Sequence, residues 1–151
     1  MTIVVVDTSV LLNILDVPGR NQDRTNIKRE LRKLVVDKGT ELFLPLVTVV
    51  EAGNHIAQLS DGNQRRHAGQ RLVDLVEQAM AGKAGWVLVP FPEADDLREL
   101  TVGLVGRLEE GISFADASII AIWEQQKTRW AKRRVYIWSL DHQLQAYDHR
   151  P

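Results

Sequence analysis

Thr2-Ile3-Val4-Val5-Val6-Asp7-Thr8-Ser9-Val10-Leu11-Leu12 opens the chain. A β-branched apolar run reads as a strand buried on both faces, the condition of an interior strand in a parallel sheet. Asp7 ends the run, and apolar residues resume at helical spacing immediately after it. Thr8 or Ser9 caps a helix reaching about Leu15. In an open parallel sheet, ligands bind outside the carboxyl ends of the strands. Asp7, Thr8 and Ser9 belong at such an end.

Working outward, strand and helix signals alternate. Asp16-Val17-Pro18-Gly19-Arg20 is a turn. Ile27, Leu31, Leu34 and Val35 mark a helix ending near Gly39, and Glu41 to Pro45 is a short strand. Thr48 reads as the cap of the next helix, with Glu51 as its capping-box partner. After a break at Asp61-Gly62-Asn63, an amphipathic helix runs from about Gln64 to Met80. Trp86 to Val89 is a third strand, followed by a helix from about Glu93 to the region of Leu104. Ser113 caps an apolar helix from Phe114 to about Gln126. Val135 to Trp138 is a fourth strand, with Asp141 and a short helix behind it. Alternating strands and helices predict an α/β fold with a central parallel sheet, strand one inside, and helices on both faces.

The chain has 151 residues, which suits a single domain. Twenty acidic residues against 19 basic ones leave a net charge of −1, so contact with nucleic acid requires a local basic patch. Absence of cysteine excludes disulfides and thiolate metal sites and suits a reducing cytoplasm. The start, Met1-Thr2-Ile3-Val4, lacks the features of a secretion signal, and no apolar run is long enough for a membrane span.

Four acids stand out because each lies in apolar sequence: Asp7, Glu51, Asp116 and Asp141. A carboxylate taken from water costs several kcal/mol unless paired, hydrogen-bonded or coordinated. Several together repel one another, and a divalent cation resolves that repulsion. Oxygen donors without cysteine suit Mg²⁺ or Mn²⁺. The chemistry this points to is metal-assisted phosphodiester hydrolysis. Each acid also has a local structural explanation: Asp7 and Asp141 as helix caps, Glu51 in the capping box, and Asp116 against a helix dipole. One shared cation explains all four.

The residues resemble a known family. Val5-Val6-Asp7-Thr8-Ser9-Val10-Leu11-Leu12 is similar to the opening of PIN domains, the ribonuclease fold that includes the VapC toxins. Glu51 matches the glutamate on the helix after the second strand. Phe114-Ala115-Asp116-Ala117 matches a hydrophobic-x-Asp-Ala helix start, and Ser139-Leu140-Asp141 matches a Ser/Thr-x-Asp after the fourth strand. The resemblance spans essentially the whole chain. It implies a PIN-like three-layer α/β/α sandwich of four or five strands, and a Mg²⁺- or Mn²⁺-dependent endoribonuclease. Asp7, Glu51, Asp116 and Asp141 would be its metal ligands and catalytic acids, with Thr8, Ser9 and Ser139 as polar helpers. It further implies the toxin of a type II toxin–antitoxin pair, an antitoxin partner and a homodimer. Many members carry a fifth strand, whereas Tyr147 to Pro151 has no strand-like run.

Two alternatives keep the fold: a nuclease that is not a toxin, and a non-catalytic binding module. A receiver domain would need a second acid beside Asp7, and a haloacid-dehalogenase-type phosphatase an acid at Ser9, so both fail. His55, Asn54 and Asn13 are candidate cleft residues. Lys127 to Arg134 is the densest basic stretch, and Arg65, Arg66 and Arg71 form a second group. Val17 and Ile27 are expected on the surface as a hydrophobic groove for an antitoxin segment.

Overall fold

In the computed structural model, which describes residues 1–151, β1 (Thr2–Val6) lies in the middle of a five-stranded sheet. It is followed by α1 (Thr8–Ile14), α2 (Arg24–Val36), β2 (Thr40–Pro45), α3 (Leu46–Ala57), α4 (Gly62–Met80) and β3 (Trp86–Val89). Then come α5 (Ala94–Val102), α6 (Leu104–Glu109), α7 (Phe114–Arg129), β4 (Arg134–Trp138), α8 (His142–Gln145) and β5 (Asp148–His149). The strand order is β3-β2-β1-β4-β5. The first four strands are mutually parallel, and β5 runs antiparallel to β4.

Alternation along β1 divides the core. Val4 and Val6, with Leu42, Leu44 and Trp86, face the layer built by α1 to α4. Ile3 and Val5, with Phe43, Val135 and Ile137, face the layer where α7 supplies Ile119, Ile120 and Trp123. Ile3 to Val6 are fully buried, which is what an apolar run with no polar face requires. Trp86 and Trp123 are buried and Trp138 partly so, as expected of core tryptophans. The Trp123 indole N–H donates to the Val135 carbonyl at 2.8 Å, tying α7 to β4.

Several expectations need correction. Val17 and Ile27 are buried, at 0% and 4% exposure, so they form no groove. Val17, in the turn after α1, and Ile27, on α2, fill the core on the face of the sheet that α1 to α4 cover. Thr48 is not a helix cap: α3 begins two residues earlier, and the buried Thr48 hydroxyl donates to the Val6 carbonyl at 3.0 Å. That bond pins α3 to the end of β1. The helix expected from about Glu93 to Leu104 is α5, and a further short helix, α6, follows it after Gly103. Asp7, not Thr8 or Ser9, occupies the cap position of α1.

The fifth strand has only two residues and no apolar character, so hydrophobic patterning does not reveal it. Ion pairing holds it. Arg134 donates through Nε and Nη2 to both carboxylate oxygens of Asp148, each at 3.0 Å, and Arg150 adds a contact from β5's own flank. The pair holds Asp148 below the usual carboxylate range. Asp148→Ala is expected to release β5 at a cost of about 1 kcal/mol, because a bidentate but partly exposed pair contributes little more. Urea denaturation measures the loss. Faster amide exchange at Ile137, whose N–H donates to the Tyr147 carbonyl, locates it.

Candidate active site

The order β3-β2-β1-β4-β5 means that the chain leaves β1 to one side, reaches β3, and returns to β4 on the other side. Connections diverge between β1 and β4, which makes the crevice at their carboxyl ends the topological switch point. Val6 pairs with Trp138 in register, so Asp7 and the segment Ser139 to Asp141 emerge side by side there. The Asp7 N–H donates to the Trp138 carbonyl at 3.0 Å.

Asp7 is buried and clamped on one side. Its Oδ2 accepts from Ser9 Oγ at 2.8 Å and from Ser139 Oγ at 2.7 Å. Each serine passes the link on: Ser9 Oγ accepts the Leu140 N–H at 3.0 Å, and Ser139 Oγ accepts the Asp141 N–H at 2.9 Å. Both hydroxyl protons are thus committed to Asp7, so the 3.4 Å separation of the two hydroxyls is packing more than bonding. No protein donor reaches Asp7 Oδ1. Gln145 Nε2 donates to the Ser139 carbonyl at 3.0 Å and braces the same turn. Sequence reasoning did not single out Gln145, which lies in a polar helix with no pattern to mark it.

Glu51 is half-buried on α3. Its Oε1 accepts from Thr8 Oγ1 at 2.8 Å, which replaces the capping box expected with Thr48. Asp116 sits in the first turn of α7, capped by Ser113, whose Oγ accepts the Asp116 N–H at 3.1 Å. Burial pushes the Asp116 carboxyl up to about 6, and the negative charges of Asp7, Glu51 and Asp141 push the same way. All four acids therefore share one field, contributed by β1, α3, α7 and the turn after β4. No lysine, arginine or histidine forms an ion pair with any of them.

Their burial is unequal. Asp7 is buried, Glu51 and Asp116 are half-buried, and Asp141 is exposed. Asp141 also caps α8, its Oδ1 accepting the Gln143 N–H at 2.9 Å. The expectation that every acid lies in the interior therefore fails at Asp141, because the apolar residues before it belong to the strand and not to its own surroundings. No three His, Asp or Glu side chains stand close enough together here to hold a metal ion between them. The acids stand at the carboxyl end of the sheet, on the segments that follow β1, β2 and β4 and at the start of α7, and they offer only oxygen donors.

Other candidates resolve as structure. Asn13 is buried, donating to the Ser9 carbonyl at 2.9 Å and accepting the Asp23 N–H at 3.0 Å. Arg71 binds the Leu15 and Asp16 carbonyls, and Arg65 those of Leu59 and Ser60, so both close helix ends. Arg66 reaches only the Asn63 side chain, within its own helix. Asn54 is exposed and His55 half-exposed, and neither makes a side-chain hydrogen bond. No helix is long and apolar enough to cross a membrane.

No protein-family model matches the sequence, and no curated protein does. Solved structures do. FitAcB from Neisseria gonorrhoeae is similar at 22% identity and a TM-score of 0.60, covering 95% of this chain and 91% of its own. FitAB bound to the IR36 DNA fragment is similar at 21% identity and a TM-score of 0.58, covering 92% and 98%. This likeness over nearly full lengths, with the sheet order and two helical layers, makes the fold a PIN-like α/β/α sandwich with a five-stranded, mostly parallel sheet.

Proposed function

We propose that this protein is a Mg²⁺- or Mn²⁺-dependent endoribonuclease, the toxin of a type II toxin–antitoxin pair. One observation supports the reading: the negative charges of Asp7, Glu51 and Asp141, each from a different part of the fold, all act on Asp116 near the switch point, and no lysine, arginine or histidine pairs with any of the four. Uncompensated charge of that kind is costly. It is retained where a mobile cation completes the site.

The donor set fits such a cation. It is all oxygen, and Asp7 offers Oδ1 because both serine donors bind Oδ2. Such a set suits Mg²⁺, which keeps several waters and binds through one or two carboxylates plus substrate phosphate. Asp7, Asp116 and Asp141 would hold it, with Glu51 direct or through water. When bound, the ion would activate a water and stabilise charge on the leaving oxygen. Ser139 and Ser9 fix which oxygen Asp7 presents, and Thr8 does the same for Glu51.

An antitoxin partner suits this site. One structural neighbour is a complex recorded on DNA. With Val17 and Ile27 buried, a partner segment would rest on exposed apolar residues beside the acids: Val50 next to Glu51, Phe114 near Asp116, and Leu140 next to Asp141. A homodimer is part of the proposal by resemblance alone.

The test is incubation of purified protein with a mixed RNA pool, followed by end mapping. Cleavage with Mg²⁺ or Mn²⁺ and none in EDTA is the expected result. Undiminished cleavage in EDTA overturns the metal role. No cleavage with either metal leaves the fold as a non-catalytic binding module. Growth arrest on expression without a partner separates the toxin from other nucleases.

A further inference from the structure

The basic stretch from Lys127 to Arg133 has no part in the crevice. α7 starts at the acids and runs back along the sheet, ending at the opposite edge, where β4 begins. From Asp116 to Arg129 the helix spans about 20 Å at its usual rise. Around its end, Trp130 is half-buried against the core, with two guanidiniums over its ring. Arg133 Cζ is 4.1 Å and Arg129 Cζ 5.2 Å from the ring centroid. Lys127 Nζ lies 4.4 Å from the ring centroid of Trp123.

None of these cations has an acidic partner. Nearby carboxylates are taken: Asp148 by Arg134 and Arg150, and Glu124 by Arg107. Lys127, Arg129, Lys132 and Arg133 donate to no protein acceptor through their side chains. A helix dipole accounts for cations within its last turn, here Lys127 and Arg129, but not for Lys132 and Arg133 beyond it. Two guanidiniums held against one indole have already lost much of their rotamer freedom while keeping their N–H donors open. They border a cavity of about 330 Å³ lined by residues Thr128 to Arg133.

We infer that this cluster is a second nucleic-acid contact, an anchor for the phosphates of a single RNA strand whose scissile region lies in the acidic crevice. The inference rests on the nuclease reading for its choice of RNA. The patch itself favours a polyanionic strand over a lipid surface, because none of the exposed large hydrophobic residues lies between Phe114 and Leu140. Membrane binding would need apolar side chains to bury as well as charge. The 20 Å between the sites corresponds to about six nucleotides of a helical strand. Contacts of this kind position a substrate without reading its sequence.

The test titrates the full-length protein against a labelled oligouridylate of about 20 nucleotides, longer than the path between the sites. Fluorescence anisotropy is read in EDTA over a range of salt. The variant is Arg129→Gln with Arg133→Gln, and circular dichroism verifies its melting. Affinity is expected to fall about tenfold. The plot of log K against log salt should become shallower by about 1.4, two contacts at 0.7 each for single strands. Cleavage of a dinucleotide, too short to bridge the sites even when extended, should be unchanged. A folded double variant with wild-type affinity and salt slope overturns the inference, as does tighter binding to phosphatidylserine vesicles than to the RNA. Loss of short-substrate cleavage overturns it too, since the arginines would then serve the crevice. If the wild type cleaves nothing yet its RNA binding depends on both arginines, the anchor stands and the nuclease reading falls.

Discussion

Asp7→Asn is expected to lower RNA cleavage at saturating Mg²⁺ by about a thousandfold or more, with no loss of melting temperature. Ser9 and Ser139 both donate to Asp7 Oδ2. In the asparagine variant they select the amide oxygen for that position, and the NH₂ group must take the place of Oδ1. A cation-binding oxygen is thereby exchanged for a hydrogen-bond donor at the same point. A metal's stabilisation of transition-state charge is worth several kcal/mol, and each 1.36 kcal/mol is tenfold in rate. The clamp itself survives, so the fold should hold, and one fewer negative charge beside Asp116 favours it. Single-turnover cleavage and thermal melting together decide. A rate within tenfold of wild type would remove Asp7 from the chemistry. A collapse in melting temperature would make it a structural residue.

The architecture was legible where one physical cause dominates. Thr2 to Val6 is apolar at every position, and only an interior strand satisfies that. The acids at strand ends were legible because a carboxylate stands out against valine and isoleucine. Legibility failed where tertiary contacts decide. Val17 and Ile27 lie in and just after polar, turn-rich sequence, yet both pack into the core cluster beneath α1 to α4. Thr48 and Glu51 have capping-box spacing, but their partners come from β1 and α1, more than 40 residues earlier. β5 is held by an arginine fork that no periodicity encodes. Asp141 is exposed as the cap of α8, which its apolar neighbours do not signal. Even so, placement at one edge follows from the parallel pairing of β1 and β4, which the alternation of strands and helices implies.

Wild-type stability is expected to fall between about pH 4 and pH 6, and Mg²⁺ should restore it above that range. An ordinary aspartate carboxyl titrates at 3.8, whereas that of Asp116 titrates at about 6 in the fold. Below the lower value, folded and unfolded chains hold the proton alike and no penalty exists. As pH rises, the unfolded chain releases its proton first, so unfolding gains until the folded carboxyl also ionises. Asp116 is half-exposed, and solvent screening limits the loss to about 1 kcal/mol, or about 3 °C of melting temperature for a chain this size. Asp116→Asn should abolish this step and melt higher than wild type at pH 7 in EDTA. A cation at one hundred times its dissociation constant adds about 2.7 kcal/mol to the protein that binds it. Mg²⁺ should therefore raise the wild-type midpoint at pH 7, do so far less at pH 5 where the Asp116 proton competes, and leave Asp116→Asn nearly unmoved. Melts at pH 5 and 7, with and without Mg²⁺, give all of these comparisons. Equal Mg²⁺ shifts in wild type and variant would show that the ion binds elsewhere, and a flat wild-type profile would mean that burial and the neighbouring acids do not raise the Asp116 carboxyl.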